Sequence, residues 1–197
     1  MPKTSIAAKE ARRTQILDAA VRCFARHGYY ETTIEDLVIE TGLSRGALYL
    51  YYPSKEAMYL AISEQWGCGL EEAIQARLTP DLSPASILQV LIEVNGEHVQ
   101  AEADACRILM EGWHLAYHIP ILAERKAQQQ ARSVAALSQL LRAGIEAGEF
   151  RADMQVETQA RILIATLHGL MVQWHQQPGS VDWHAVAVEF VRGLRPC

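Results

Sequence analysis

The chain has 197 residues, and 50% of them are hydrophobic, which is enough to bury the core of one large or two small domains. No apolar run is long enough to cross a membrane, and the first residues lack the apolar segment of a signal peptide, so we expect a cytoplasmic protein without membrane contact. The net charge of −5 would disfavour nucleic-acid binding, but residues 1–60 carry eight Lys or Arg against seven Asp or Glu, which leaves a positive face possible.

Apolar residues recur at spacings of three and four, and alternating stretches are absent, which predicts an all-α protein of about nine helices. In chain order, the predicted helices cover residues 8–27, 33–42, 45–51, 55–78, 85–101, 104–117, 121–147, 156–176 and 181–192. Thr32 or Thr33 suits the N-cap of the second helix, because each begins a spacing that resembles a capping box, and Ser44 suits the N-cap of the third. Pro84 suits the first position of its helix. Gly28 suits a left-handed cap at the end of the first helix.

The second and third predicted helices are joined by a short turn at Gly42, which is the arrangement of a helix-turn-helix. A tight turn between crossing helices favours a residue that tolerates positive φ, and glycine does so without steric cost. On the third helix, Leu48 and Tyr52 share one face and are predicted to pack inward. The other faces can then present polar and aromatic groups to a DNA groove.

Residues 28–58, GYYETTIEDLVIETGLSRGALYLYYPSKEAM, resemble the DNA-binding domain of the TetR family of transcriptional regulators. The motif runs Gly-aromatic, Thr-Thr, an apolar helix, Gly-Val/Leu-Ser, Gly-x-Leu-Tyr, an aromatic pair and Lys-Glu. Val38 and Thr41 depart from it, because small alanines are frequent at these positions. The resemblance implies a helix-turn-helix domain over residues 1–54 and a helical ligand-sensing and dimerisation domain over residues 55–197.

The resemblance also implies partners and contact residues. The expected partners are palindromic double-stranded operator DNA, a small-molecule effector and a second copy of the chain. The residues implied to contact DNA are Thr33 and Ser44 near phosphates, Arg45, Gly46 and Ala47 at base edges, and Tyr49, Tyr51 and Lys55 on the backbone. The physical chemistry agrees for Arg45, since a guanidinium can bond guanine O6 and N7 together, whereas phosphate contacts position the protein without reading sequence.

In the C-terminal part the candidates are large apolar, aromatic and polar side chains on helices. The candidate effector contacts are Trp66, Arg107, Met110, Trp113, Tyr117 and His168, which favour a largely apolar or aromatic ligand with one polar end. The candidate dimer residues form an apolar stripe and are Leu163, Leu167, Leu170, Met171, Trp174, Val186, Phe190 and Leu194. The same stripes are equally compatible with the core of a monomer.

Two alternatives to a small-molecule regulator remain open. His114 and His118 stand four apart on one helix, and His98, Glu102 and Cys106 form a similar ladder, so a metal-sensing regulator is the first. A helical interaction protein that does not bind DNA is the second. The sequence contains no phosphate-binding loop, nucleophile elbow or zinc-protease motif, so we expect no enzyme, catalytic residue, cofactor or resident metal.

Overall fold

The computed structural model describes residues 6–196, which form nine α-helices and no β-strand, so the predicted all-α fold is confirmed. The helices are α1 Ile6–Glu31, α2 Ile34–Thr41, α3 Arg45–Tyr49, α4 Lys55–Gln75, α5 Pro84–Ala101, α6 Ala103–Ala116, α7 Pro120–Glu146, α8 Val156–Gln176 and α9 Trp183–Arg192. Among these described residues, no helix combines the length and the apolar character that a membrane span requires.

The first helix breaks at Gly28 but does not end there. Gly28 has φ 79° and ψ 164°, so its φ is positive as predicted, but its ψ is that of extended backbone and not that of a left-handed cap. The chain resumes helical geometry from Tyr29 to Glu31. A side chain is strained at this φ, which explains why glycine stands at the break.

Side-chain caps define both helices of the helix-turn-helix. Thr33 Oγ1 accepts a hydrogen bond from the Asp36 amide at 3.1 Å, and the Thr33 amide donates to Asp36 Oδ2 at 2.8 Å, which completes a capping box at the start of α2. Gly42 ends α2 in the left-handed conformation, with φ 66° and ψ 13°. Ser44 Oγ then accepts from the Ala47 amide at 3.2 Å and begins α3.

Some helix ends differ from the predicted ones for local reasons. The last turn of α4 tightens because the amides of Arg77 and Leu78 bond three residues back, so α4 ends at Gln75 and not at residue 78. The final helix begins later than predicted, at Trp183, because the Asp182 carboxylate accepts from the Ala185 amide at 2.9 Å and caps it there.

The described residues form two compact units. The first unit comprises residues 6–67 and 104–122, and the second comprises residues 68–103 and 123–196. In the first unit an aromatic cluster lies at the centre of the core: the rings of Phe24 and Tyr29 lie 5.4 Å apart, and those of Tyr29 and Tyr59 lie 5.9 Å apart. Leu37 of α2 and Leu48 of α3 are completely buried in the same core, which fixes the helix-turn-helix against α1.

The second unit is built on close helix packing at glycine. A Cβ built on Gly96 of α5 would lie 2.1 Å from Cγ of Trp183, so α5 and α9 approach each other only because position 96 has no side chain. Gly144 of α7 receives the ring of Phe150 in the same way. The Glu149 carboxylate accepts from Ser83 Oγ and the Ala85 amide, both at 2.9 Å, and so satisfies the start of α5.

Replacing Gly96 with Ala is expected to destabilise the second unit by about 1–3 kcal/mol, because the new methyl group overlaps the indole of Trp183. Urea unfolding measures the loss. Gly193→Ala is the matched control, since its Cβ would lie 3.5 Å from the nearest heavy atom, an ordinary contact. Equal stability of the two variants would contradict the close packing of α5 and α9.

Candidate nucleic-acid interface and effector unit

Two of the three residues predicted to meet base edges, Arg45 and Gly46, lie on the solvent side of α3 together with Tyr49, which was predicted to contact the DNA backbone. Leu48 is completely buried, whereas Arg45, Gly46 and Tyr49 are exposed. Leu50, which follows α3, is 83% exposed, and the sequence analysis did not select it. We call the exposed set Arg45, Gly46, Tyr49 and Leu50 the reading face.

The hydroxyl groups predicted to approach phosphates are both engaged in capping. Thr33 Oγ1 also donates to Asp36 Oδ2 at 2.7 Å, and these bonds from Thr33 lower the pKa of the Asp36 carboxyl. Thr33 and Ser44 are exposed and Ala47 is half-buried. The caps fix both helix N-termini within the chain, and the phosphate contacts predicted for the two hydroxyl groups remain predictions.

Arg45 is paired with a carboxylate that the sequence analysis did not consider. Its guanidinium forms an ion pair with Glu35 of α2, and both side chains are more than half exposed, at 58% and 62%. Exposed pairs of this kind contribute about 0–1 kcal/mol, so DNA can displace Glu35 at little cost. The signal in the sequence was the acidic first turn of α2, which carries Glu35 and Asp36.

The end of α3 is tied back to α1 through Arg13. Its Nη1 donates to the carbonyl of Tyr51 at 3.3 Å, and its guanidinium carbon lies 4.7 Å from the ring centroid of Tyr52. Tyr52 is buried, and burial raises the pKa of its hydroxyl. Tyr51, predicted to contact the DNA backbone, is half-buried.

Lys55 makes three hydrogen bonds within the chain. Its Nζ donates to the carbonyls of Tyr29 at 2.6 Å, Tyr30 at 3.2 Å and Thr32 at 2.8 Å, which belong to the last turn of α1 and the residue that follows it. An ammonium group has three donors, so these bonds use all of them. Burial lowers the pKa of Lys55. The phosphate contact predicted for Lys55 requires one of these bonds to be exchanged, and it remains a prediction.

A side chain of α6 also binds the backbone at the end of α1. The Tyr29 amide donates to Glu111 Oε2 at 2.9 Å, and the Glu111 carboxylate lies beside the break at Gly28. Glu111 and Lys55 thus bind the amide and the carbonyl of one residue. We call Glu111, Tyr29 and Lys55 the junction clamp. Sequence reasoning missed Glu111 because only the tertiary fold brings it to Tyr29, 82 positions away.

Removing the ammonium group by Lys55→Met is expected to lower the free energy of unfolding by about 2 kcal/mol or more, because three carbonyls lose a charged donor. Urea unfolding without DNA measures this loss, and Lys9→Met, at an exposed position of α1, is the matched control. Unchanged stability together with a smaller salt dependence of DNA binding would assign Lys55 to a phosphate instead.

The candidate effector residues divide between the two units. Trp66, Arg107 and Met110 of the first unit are half-buried. Trp113 and Tyr117 belong to the same unit and are 44% and 86% exposed, so Tyr117 does not line an enclosed cavity of that unit.

The remaining effector candidate, His168, lies in the second unit and is half-buried beside another basic residue. Burial, and secondly the charge of Lys126, lower the pKa of His168. Burial also lowers the pKa of Lys126 to about 8. The second unit therefore holds two basic side chains from α7 and α8 largely out of water.

The pKa of Lys126 gives the protein a pH-dependent stability. The unfolded chain, where lysine has its ordinary pKa of 10.5, binds more protons than the folded chain above about pH 8. The free energy of unfolding of the wild type, relative to that of Lys126→Met, is therefore expected to rise as the pH increases from about 8 to 10.5.

Urea unfolding at several pH values measures the effect, and Lys9→Met is again the control. The comparison with a variant is needed because burial raises the pKa of Cys106 to about 11. That shift by itself makes the free energy of unfolding fall as the pH rises, which is opposite to the effect of Lys126. A difference between wild type and Lys126→Met that stays constant with pH would contradict this expectation.

The predicted dimer residues do not form one exposed surface. Leu163, Met171 and Leu194 are buried within the chain, so their prediction as interface residues is corrected: they are core side chains. The other five are half-buried, namely Leu167, Leu170, Trp174, Val186 and Phe190. Their helical spacing marked an apolar face, but spacing alone did not separate the face toward the core from the face toward solvent.

A different stripe of α8 is exposed. Ile162 and Val172 are 48% and 42% exposed, and the small residues Ala165 and Gly169 lie between them on the same side of the helix. Val188 of α9 is also an exposed large apolar residue, at 37%. We call Ile162, Ala165, Gly169, Val172 and Val188 the outer stripe. Its signal in the sequence was the pair of small residues, which let two helices approach closely.

The metal alternative finds no support in the geometry. The rings of His114 and His118 lie 5.1 Å apart, with Tyr30 beside His114 at 6.2 Å. Within residues 6–196, no group of three or more His, Cys, Asp or Glu side chains is arranged to hold a metal ion.

The fold is that of helix-turn-helix regulators of known structure. A TetR transcription regulator from Haloarcula marismortui superposes with a TM-score of 0.80 at 22% identity, covering 94% of this chain and 98% of that one. The transcriptional regulator FadR from Bacillus subtilis, solved in complex with stearoyl-CoA, superposes with a TM-score of 0.77 at 19% identity, covering 91% of this chain and 95% of that one.

The sequence comparisons establish the family. The model of bacterial regulatory proteins of the tetR family matches residues 16–62, and the model of the BetI-type transcriptional repressor C-terminal domain matches residues 84–194. The regulator AcrR of Shigella flexneri is 31% identical over 203 aligned residues, covering 96% of this chain and 89% of AcrR. The repressor KstR2 of Rhodococcus jostii is 28% identical, covering 96% and 92%. This chain belongs to the TetR family of transcriptional regulators.

Proposed function

We propose that the protein is a cytoplasmic one-component repressor. The helix-turn-helix, within residues 1–54, binds a palindromic double-stranded operator, and residues 55–197 form a homodimer and bind a small, largely apolar or aromatic effector that releases the DNA. The single observation that carries this proposal is the reading face, where Arg45, Gly46, Tyr49 and Leu50 are exposed on a helix whose Leu48 is completely buried.

The reading face suits a major groove because its groups have different tasks. Arg45 can leave the exposed pair with Glu35 and bond guanine O6 and N7. Gly46 and Ala47 permit close approach of the helix to base edges. Tyr49, 40% exposed, can donate to a phosphate and position the helix without selecting a base.

Thr33 and Ser44 lie at the N-termini of α2 and α3, where a hydroxyl group and the positive end of the helix suit a phosphate oxygen. The phenol of Tyr51, which follows α3, is the group proposed to contact the DNA backbone at the other end of that helix. Lys55 supports this surface from behind by holding the α1–α2 junction.

A dimer follows from the small size of the reading face. A helix of five residues reads few bases, and paired copies reading a palindrome double the contacts. The outer stripe supplies an apolar surface for pairing, because Ile162, Val172 and Val188 are exposed in the single chain and their burial would be favourable.

The junction clamp supports a route from an effector to the operator. The clamp residue Glu111 lies on α6 and Lys55 lies on α4, and both bind the backbone of Tyr29 in the last turn of α1. An effector that binds better to one placement of α4 or α6 shifts the population of junction conformations and so changes operator affinity. The FadR structure with stearoyl-CoA supports a small molecule with a large apolar part as the kind of effector.

Selection of bound sequences from random DNA, with and without a pool of metabolites, tests the proposed function. We expect a palindromic consensus and a weaker yield with the correct metabolite. Arg45→Ala is expected to lose about 1–3 kcal/mol of discrimination at one symmetric position, because the guanine contact is lost. Tyr49→Phe is the matched control and should weaken all sequences alike, because it removes one hydroxyl group that carries no base preference.

Binding titrations on a panel of single-base operator variants give both results. Equal losses across the panel for Arg45→Ala would remove its role as a base reader. The absence of any enriched sequence for the wild type would overturn the proposed function as a whole.

A further inference from the structure

The position of Leu50 is unusual for a large apolar side chain. It is 83% exposed, although its amide donates to the Gly46 carbonyl at 3.3 Å and its backbone remains helical, with φ −64° and ψ −25°. Leu50 therefore extends α3 by one residue. Its side chain points away from the core and adds nothing to the packing of the first unit.

The geometry of α3 gives the direction of this side chain. Successive residues of an α-helix are rotated by about 100°, so Leu50 lies about 200° from Leu48 around the helix axis. Gly46 lies at the same angle in the other direction. Because Leu48 is completely buried, Leu50 and Gly46 form the part of the helix farthest from the core. They are the centre of the reading face, with Arg45 and Tyr49 at its side.

Gly46 leaves this centre open. A Cβ built at Gly46 would meet no heavy atom of the described chain within 4 Å. The helix backbone at Gly46 can therefore come close to a base edge, and Leu50, one turn later, would then meet the neighbouring base.

Leucine can offer a base only apolar surface. In the major groove thymine is the one base that presents a methyl group, whereas guanine, adenine and cytosine present hydrogen-bonding groups. Leucine against such groups would remove them from water without providing a partner, which is unfavourable. Contact with a thymine methyl group buries two apolar surfaces and is favourable.

We propose that Leu50 is a specificity-determining residue that reads a thymine methyl group in each half of the operator. This inference rests on the proposed function, since it requires the reading face to enter the major groove. It adds a second base contact to that of Arg45, and the two contacts differ in chemistry: one is polar and selects guanine, and the other is apolar and selects thymine.

Replacing thymine by deoxyuridine tests the proposal, because this change removes only the methyl group. The probe is the consensus duplex obtained by selection from random DNA. In each version of it, the two thymines at symmetric positions of the two half-sites are replaced by deoxyuridine. For the wild-type protein we expect one symmetric pair of positions at which the replacement weakens binding by about fourfold for each methyl group. For Leu50→Ala we expect less than a twofold effect at that pair.

The matched control is Ile39→Ala. Ile39 is an equally large apolar residue of α2 in the same unit and is 79% exposed, so its loss should leave the deoxyuridine effect unchanged. Circular dichroism checks that both variants fold, which is expected because neither side chain is part of the core.

Two results would overturn the role of Leu50 while leaving DNA binding intact. One is a wild-type protein that binds every deoxyuridine duplex as tightly as the parent duplex. The other is a Leu50→Ala protein that keeps the full wild-type response to methyl removal. If selection yields no consensus at all, the proposed function itself has failed, and this outcome is distinct from the other two.

Discussion

The helix-turn-helix depends on how the chain is held where α1 gives way to α2. At this point Gly28 breaks the helix with a positive φ, and the amide and carbonyl groups that follow lose their partners within α1. Glu111 accepts from the Tyr29 amide, and the ammonium group of Lys55 binds the carbonyls of Tyr29, Tyr30 and Thr32. Charged partners make stronger hydrogen bonds than neutral ones. The bonds of Glu111 and Lys55 therefore hold α1, α4 and α6 together in a fixed arrangement at Tyr29.

The fixed junction explains how a very short helix can serve as a reading surface. Five residues cannot form a stable helix in isolation, because nucleation costs more than so few hydrogen bonds return. Ser44 caps the start of α3, the buried Leu48 attaches it to the core, and Arg13 binds the chain where it leaves the helix. All three supports lie behind or beside α3, which leaves its outward side free.

The two units of the family fold are specified in different ways. The motif of the first unit is local, since caps, turn glycine and inward leucine lie within about thirty residues, and a family resemblance there carries side-chain detail. The second unit depends on close helix packing between residues distant in the chain, with Gly96 against Trp183 as an example. Apolar spacing predicted its helices, but it did not show which faces of those helices are exposed.

The sequence by itself determined the helices, the cap at Ser44, the turn at Gly42 and the inward position of Leu48, because each depends on neighbours within one or two turns. It left Thr32 and Thr33 as alternative caps of α2, and the structure places the cap at Thr33. Tertiary structure alone decided the partners that lie far apart in the chain. Lys55 was predicted to bind DNA, yet its ammonium group holds three carbonyls, and Glu111 reaches Tyr29 across 82 positions. A helical period shows that a residue shares a face with others, but which face is covered is decided by the elements that pack against it.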